Sequence, residues 1–124
     1  PNLTNPNNYR AIRYADVLLM AAEAHSRGNL DEAKALDYLN QVRERAFGDD
    51  THNSSATGAA LTDAILEERR LELMGEGHRF FDLVRTGRAP QAINGFVSGK
   101  HELFPIPFQE IQFSAGNWSQ NPNY

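Results

Sequence analysis

Residues Glu67-Glu68-Arg69-Arg70-Leu71-Glu72, with Glu76 and Arg79 close behind, concentrate the side chains that could do chemistry. Paired carboxylates are the machinery of glycoside hydrolysis, one as proton donor and one as nucleophile or base. Two features of the spacing oppose that use. Each carboxylate has an arginine within helical reach, which favours its ionised form and spoils it as a general acid. Glu68, Glu72 and Glu76 also fall at i, i+4 and i+8, one side of a single helix. A catalytic pair has to flank a sugar ring from opposite sides. The pattern predicts instead an Arg–Glu network that ties helices together. Arg13, Asp16 and Glu23 share one narrow stripe of an otherwise apolar segment and are its natural partners. Arg69 and Glu72 are expected to be buried and bonded outside their own helix.

Other constellations are incomplete. His78 and Asp82 stand at i, i+4, but no further histidine supports them and Arg79 would repel a cation, so no metal site is expected. Asp49-x-Thr51-x-Asn53-x-Ser55 opens like a calcium loop, yet Ser54 occupies the glycine position and Ala60 the closing glutamate position. Gly75-x-Gly77 lacks the third glycine and the preceding strand of a dinucleotide fingerprint. There is no nucleophile elbow, Walker A motif or Ser-His-Asp ordering, and no cofactor is expected. Asn2, Asn53 and Asn117 begin N-x-[ST] triplets, which are common by chance. Phe104, Phe108, Phe113, Trp118 and Tyr124 crowd the last third. Aromatic faces can stack on sugars, but rings spaced among prolines and isoleucines also build cores. Trp118, in Gly116-Asn117-Trp118-Ser119, is the candidate ligand contact.

The elements that must position these groups are helical. Residues 1–8 are rich in asparagine and proline and read as an extended lead-in. Tyr9 to Ala24 is long, apolar and rich in helix formers, a helix buried on most sides. Gly28-Asn29 stops it, and Asp31-Glu32 start a second helix with Ala35, Leu39 and Val42 in register through to Ala46. Residues 48–60 read as a mobile loop. Thr62-Asp63 open a third helix, from Ala64 to about Met74, interrupted by Gly75 and Gly77. His78–Arg85 make a short fourth helix closed by Gly87. Phe104-Pro105-Ile106-Pro107 has to be extended, and Pro107 suits the first turn of a helix through Ile111. Ser119–Tyr124 reads as a turn. Gly28-Asn29-Leu30-Asp31-Glu32-Ala33 resembles the inter-helix turn of a tetratricopeptide unit, with glycine as the left-handed residue and Ala33 allowing close approach. An ordinary helix hairpin would fit as well. The expectation is one all-α domain over 1–124, a tetratricopeptide-like hairpin plus further helices and an irregular Pro-rich C-terminal segment.

Composition narrows the class. The 124 residues suffice for one core without staples. Zero cysteines exclude a disulfide scaffold, a thiol nucleophile and thiolate zinc sites. A net charge of −4 makes a poor nucleic-acid binder, so no nucleic-acid partner is expected. Only Lys34 and Lys100 among twelve basic residues are lysines, which suits planar, paired guanidiniums. No apolar run approaches the ~20 residues of a membrane helix. The chain opens at Pro1, not methionine, and reads as a piece of a longer protein, with any targeting signal in the missing part.

The ordered set of segments resembles one family. Arg13-Tyr-Ala-Asp-Val-Leu-Leu-Met-Ala-Ala-Glu-Ala24, Leu39-Asn-Gln-Val-Arg43, Ile65-Leu-Glu-Glu-Arg-Arg-Leu-Glu-Leu73 and Glu76-Gly-His-Arg79 with Asp82-Leu83 and Arg85 are similar to the C-terminal region of the SusD/RagB family. Gly99-Lys100, Leu103-Phe-Pro-Ile-Pro107, Glu110-Ile111 and Gln120-Asn-Pro-Asn-Tyr124 continue the match to the end. The resemblance implies a surface lipoprotein of the Bacteroidetes outer membrane. Such a protein binds glycans, or in some cases peptides, as a lid on a TonB-dependent (SusC-like) transporter. It implies tetratricopeptide-like helix pairs. The family's aromatic glycan platform lies mostly upstream, so no glycan contact carries over to a numbered residue. What carries over is the helix-tying role of Arg13, Asp16, Glu68, Arg69, Glu72, Glu76, Arg79, Asp82 and Arg85.

The expected function is a non-enzymatic nutrient-binding protein fragment, contributing scaffold to oligosaccharide capture and import. Its partners would be the transporter, an oligosaccharide ligand and its own missing N-terminal part. One rival is a tetratricopeptide-type interaction module without a sugar role. The other is a glycoside hydrolase using the Glu68–Glu76 cluster. The first helix is apolar on almost every face, so some of Ile12, Val17, Leu18, Leu19 and Met20 should be accessible in the lone chain.

Overall fold

A computed structural model describes residues 11–124; the Asn- and Pro-rich lead-in, Tyr9, Arg10 and the Asn2 triplet lie outside them. Every regular element of the described residues is helical: α1 (Tyr14–Arg27), α2 (Glu32–Phe47), α3 (Gly58–Glu72), α4 (His78–Arg85), α5 (Ala89–Ala92) and α6 (Phe108–Phe113). The chain divides into two compact units, Pro1–His78 and Arg79–Tyr124.

The first unit is a three-helix assembly around a tetratricopeptide-like hairpin. Leu18, Leu19 and Ala22 of α1 meet Ala35, Leu39 and Val42 of α2, and Leu61 and Ile65 of α3 complete the cluster. Full burial of one such leucine is worth about 1.5–3 kcal/mol. Close approach of the hairpin is permitted by Ala22 and Ala35, both fully buried, and not by Ala33, which is exposed. The turn also differs from expectation. Gly28 closes α1 in right-handed geometry (φ −79°), and Asn29 takes the left-handed residue (φ 50°). Glycine is needed at 28 for space, because a Cβ there would lie 2.6 Å from the Ala24 carbonyl oxygen. On α1, Leu18 and Leu19 are buried, whereas Val17 and Met20 are exposed, as is Ile12 just before it.

Two helix starts show how local signals and distant ones compete. Asp31 caps α2 by accepting the Lys34 N–H at 3.0 Å, and that bond holds its carboxyl below the ordinary range. The third helix begins at Gly58, six residues ahead of the expected Ala64. Its N-cap, Thr57, makes no side-chain capping bond. The Gly58 N–H donates instead to Glu32 Oε2 of α2, at 2.7 Å. Residues 48–57, expected to be mobile, are pinned. Asn40 donates to the Ser54 carbonyl at 3.0 Å and accepts the Ser54 N–H at 2.8 Å, while Arg43 Nε donates to the His52 carbonyl at 2.7 Å.

The second unit is built differently. Leu83 and Ala89 are its buried apolar residues, while eight large apolar side chains are exposed, Phe104 at 74 % and Phe113 at 82 % among them. α5 is a single turn with Pro90 in it, which no spacing signal announced. α6 follows Pro107, whose φ of −53° suits the entry to a helix, and runs two residues past the expected Ile111. The C-terminal tail is a clasp of side chains on carbonyls. Gln120 bonds both ways with the Ile106 backbone, Asn121 donates to the Phe104 carbonyl and Asn123 to the Gly99 carbonyl. Asn123 itself takes a left-handed φ of 67°.

Candidate functional site

The charge cluster resolves into interhelical ion pairs at the α3 side of the first unit. Asp16 and Arg69, with side chains 6 % and 4 % exposed, meet at 2.8 Å and join α1 to α3. Glu68 accepts from Arg43 Nη1 of α2 at 2.6 Å. Glu72 receives Arg13 Nη1 at 2.8 Å and also Arg45 of α2. Arg13 Nη2 donates to the Glu72 carbonyl oxygen, 2.8 Å, and Arg13 Nε grips both Glu76 oxygens at 3.0 Å. One guanidinium thus closes the C-terminal end of α3 with its planar fork. The bonds to Glu76 and then to Glu72 raise the Arg13 pKa further above its high ordinary value. The same bond holds the Glu76 carboxyl below the usual range.

This arrangement gathers Arg13, Asp16, Glu68, Arg69, Glu72 and Glu76. Glu23, the third member of the α1 stripe, pairs with Arg27 one turn on. Asp82 pairs with Arg85 on α4 at 2.7 Å. Arg79 departs from the expected set: it is exposed and makes no ion pair among the described residues. Its position on α4 turns its long side chain to solvent. Arg43 and Arg45 were absent from the expected network. Their signal lay in the sequence, since both flank the Leu39–Val42 face of α2. Chemically the cluster is closed. Glu68 and Glu72 each lie against an arginine of another element. No group of three or more metal-ligating residues occurs among the described residues.

Two cavities accompany these elements. A groove of about 350 Å³ on the hairpin is lined by Tyr14, Ala15, Leu18, Gln41 and Val42, with Arg13 and Arg45. In the second unit a cradle of about 330 Å³ is lined by Phe80, Ile93, Phe96, Leu103, Phe104 and Tyr124, with Asn94, Gly95 and His101. Phe80 and Phe104 are 6.1 Å apart at the ring centroids, and Lys100 Nζ lies 4.8 Å from the Tyr124 ring. Trp118 is 55 % exposed and does not line the cradle. Its backbone N–H donates to Ser114 Oγ at 3.1 Å. No helix of the described residues is long and apolar enough to cross a membrane.

Comparison with known proteins agrees with this architecture. The SusD family profile matches residues 2–101. SusD-like protein P25 of Formosa agariphila is 36 % identical over 90 % of the chain and 23 % of its own length. SusD-like protein P2 of the same organism is 33 % identical over 94 % of the chain and 26 % of its length. A crystal structure of a SusD homolog from Bacteroides thetaiotaomicron superposes with a TM-score of 0.81 at 33 % identity. It covers 95 % of this chain and 26 % of that one. The chain belongs to the SusD family. The family is one of carbohydrate-binding, non-catalytic proteins. The chain spans about a quarter of the length of these relatives.

Proposed function

We propose that the chain is the C-terminal scaffold of a longer, non-enzymatic outer-membrane lipoprotein that captures oligosaccharides and passes them to a SusC-like, TonB-dependent transporter. The observation that carries this reading is the family match over residues 2–101. The charge network supports it from the chemical side. Arg13, Asp16, Glu68, Arg69, Glu72 and Glu76 act as structural ties, with each carboxylate paired to an arginine of another segment. Asp82 and Arg85 serve the same structural end on α4. Ligand contacts belong to other parts of the protein or to exposed aromatics such as Trp118.

The test is binding by the full polypeptide, read from its coding sequence, to a panel of soluble polysaccharides in affinity electrophoresis. Retardation by at least one glycan, with no hydrolysis of it, is the expected result. Turnover abolished by Glu68→Gln or Glu72→Gln would revive the hydrolase. Binding of helical peptides, and of no glycan, would favour an interaction module, the reading to which the groove beside Tyr14 and Val42 lends support. A gene for a TonB-dependent transporter next to this one would strengthen the proposal.

A further inference from the structure

An asparagine side-chain amide is lost most readily where the next backbone nitrogen is free to attack it, and glycine, with no side chain, hinders that attack least. Asn94-Gly95 is the one Asn-Gly pair in the sequence. Both residues are exposed. They form the middle of a four-residue turn. The Ile93 carbonyl accepts the Phe96 N–H at 3.2 Å, and Gly95 takes the left-handed third position with φ 78°. Nothing lies within 4 Å of where a Gly95 Cβ would sit. Neither the Gly95 N–H nor the Asn94 side chain makes a hydrogen bond among the described residues. Other asparagines are held. Asn40, Asn53, Asn117, Asn121 and Asn123 each donate from the side chain to an oxygen acceptor. The nitrogen that follows Asn29 belongs to Leu30 and already donates to the His25 carbonyl at 3.0 Å.

We infer that Asn94 is a site of spontaneous covalent modification, at which the Gly95 nitrogen converts it to aspartate and isoaspartate. That nitrogen gives its proton to solvent base and bonds to Asn94 Cγ. The Cγ–Nδ2 bond breaks, and Nδ2 leaves as ammonia. Water then opens the five-membered imide. Attack at Cγ cleaves the new bond to Gly95 and leaves aspartate. Attack at the main-chain carbonyl carbon cleaves the original peptide bond and leaves isoaspartate, with the chain routed through Cβ and Cγ. The sum is amide plus water to carboxylic acid plus ammonia, with no change of oxidation state. Asn94 and Gly95 line the cradle of the second unit, which is lined by no Asp, Glu, Lys or Arg. Either product gives that lining a carboxylate. Isoaspartate also lengthens the main chain by one carbon beside Phe96, whose ring meets His101 edge to face at 5.7 Å. The charge and the shape of the cradle therefore change with the age of the molecule.

The test ages the full polypeptide, folded, in warm and mildly alkaline buffer and then digests it with trypsin. Cleavage after Arg88 and Lys100 releases Ala89–Lys100, in which Asn94 is the only asparagine, and leaves Asn117, Asn121 and Asn123 together in the next peptide. The 89–100 peptide should gain the mass of an amide-to-acid exchange several times faster than its neighbour, and faster still as pH is raised. Isoaspartyl methyltransferase should label it. Asn94→Gln, which cannot close the five-membered ring, should lose the labelling. If that variant fails to fold, the comparison of the two peptides in the unsubstituted protein decides. Equal rates in the two peptides, a change confined to Gln91, or acid formed without isoaspartate would overturn the inference. So would conversion seen only after unfolding in urea, which would show that the folded protein shields the pair.

Discussion

The two units hold their chain by opposite means. In residues 11–78, Leu19, Leu39, Leu61 and Ile65 are fully buried, and even the charged groups Asp16 and Arg69 are taken inside. In residues 79–124, two apolar side chains are buried, and order comes from amides and a phenol gripping backbone carbonyls. The first is stabilised mainly by area removed from water, which is non-directional. The second depends on individual hydrogen bonds, each worth about 0.5–1.5 kcal/mol net. A family match that runs across both units thus conceals two physical designs. A core tolerates side chains of similar volume, but a clasp tolerates no loss of a donor.

The contrast is most sharply tested at its extreme. Arg69→Ala strands Asp16 in the interior and should destabilise the first unit by about 3–5 kcal/mol in urea unfolding followed by circular dichroism. The double change Asp16→Leu with Arg69→Met should recover most of that loss. Equal damage from both would mean that the pair does more than neutralise itself. Gln120→Ala removes both bonds to Ile106 and should cost about 1–3 kcal/mol. It should appear as faster amide exchange confined to residues 103–124, and an effect reaching α1–α3 would erase the distinction between the units.

A smaller effect is expected from acid. The Glu76 carboxyl is lowered by its bond to Arg13, so the folded state releases that proton more readily than the unfolded one. Its stabilisation is therefore full above the ordinary glutamate value and lost as pH falls through the lowered one. Glu76→Gln should flatten that part of the stability–pH curve. An unchanged curve would assign the acid sensitivity to another carboxylate. The smallest change should come from Phe113→Ser, within about 0.5 kcal/mol in the isolated chain, since its ring is already in water. A large loss would mean that the second unit has packing not visible at that ring. Light scattering on the lone chain complements these: exposed Val17, Met20 and Phe104 should promote self-association.

Much of the first unit was legible because apolar residues recur at helical spacing. Leu39 and Val42 mark α2, and Ile65 and Leu66 mark α3; in the second unit, α4 was legible because Gly77 and Gly87 bound it. The start of α3 was not, because its first amide is satisfied by Glu32, 26 residues away, and Thr57 offers no local cap. A four-residue helix such as Ala89–Ala92 is too short to show a period. Within the charge cluster, spacing identified the α1 and α3 members, Arg13, Asp16, Glu68, Arg69 and Glu72, but missed Arg43 and Arg45 and wrongly included Arg79. Arg13 was readable as a partner of α3, whereas Arg45 reaches Glu72 only through the packing of α2. The cradle was least legible. Nothing in Gln120-Asn-Pro-Asn-Tyr124 states which carbonyls its side chains will find, and Trp118, the residue that stood out, does not line it.

The anchored connection between α2 and α3 has a consequence for how such sequences can change over time. Asn40 reads Ser54 from both sides, Asn53 donates to Glu44, and Glu32 takes the first amide of α3. These contacts measure chain length, not composition, because they fix how many residues run from Phe47 to Gly58. A substitution at Thr51 or Ser55, both exposed, leaves that measure intact. A one-residue insertion anywhere between them moves Ser54 out of reach or rotates α3 by about a quarter turn, taking Ile65 and Arg69 off the core. Unlike most surface loops, this one should vary freely in letters and hardly at all in length.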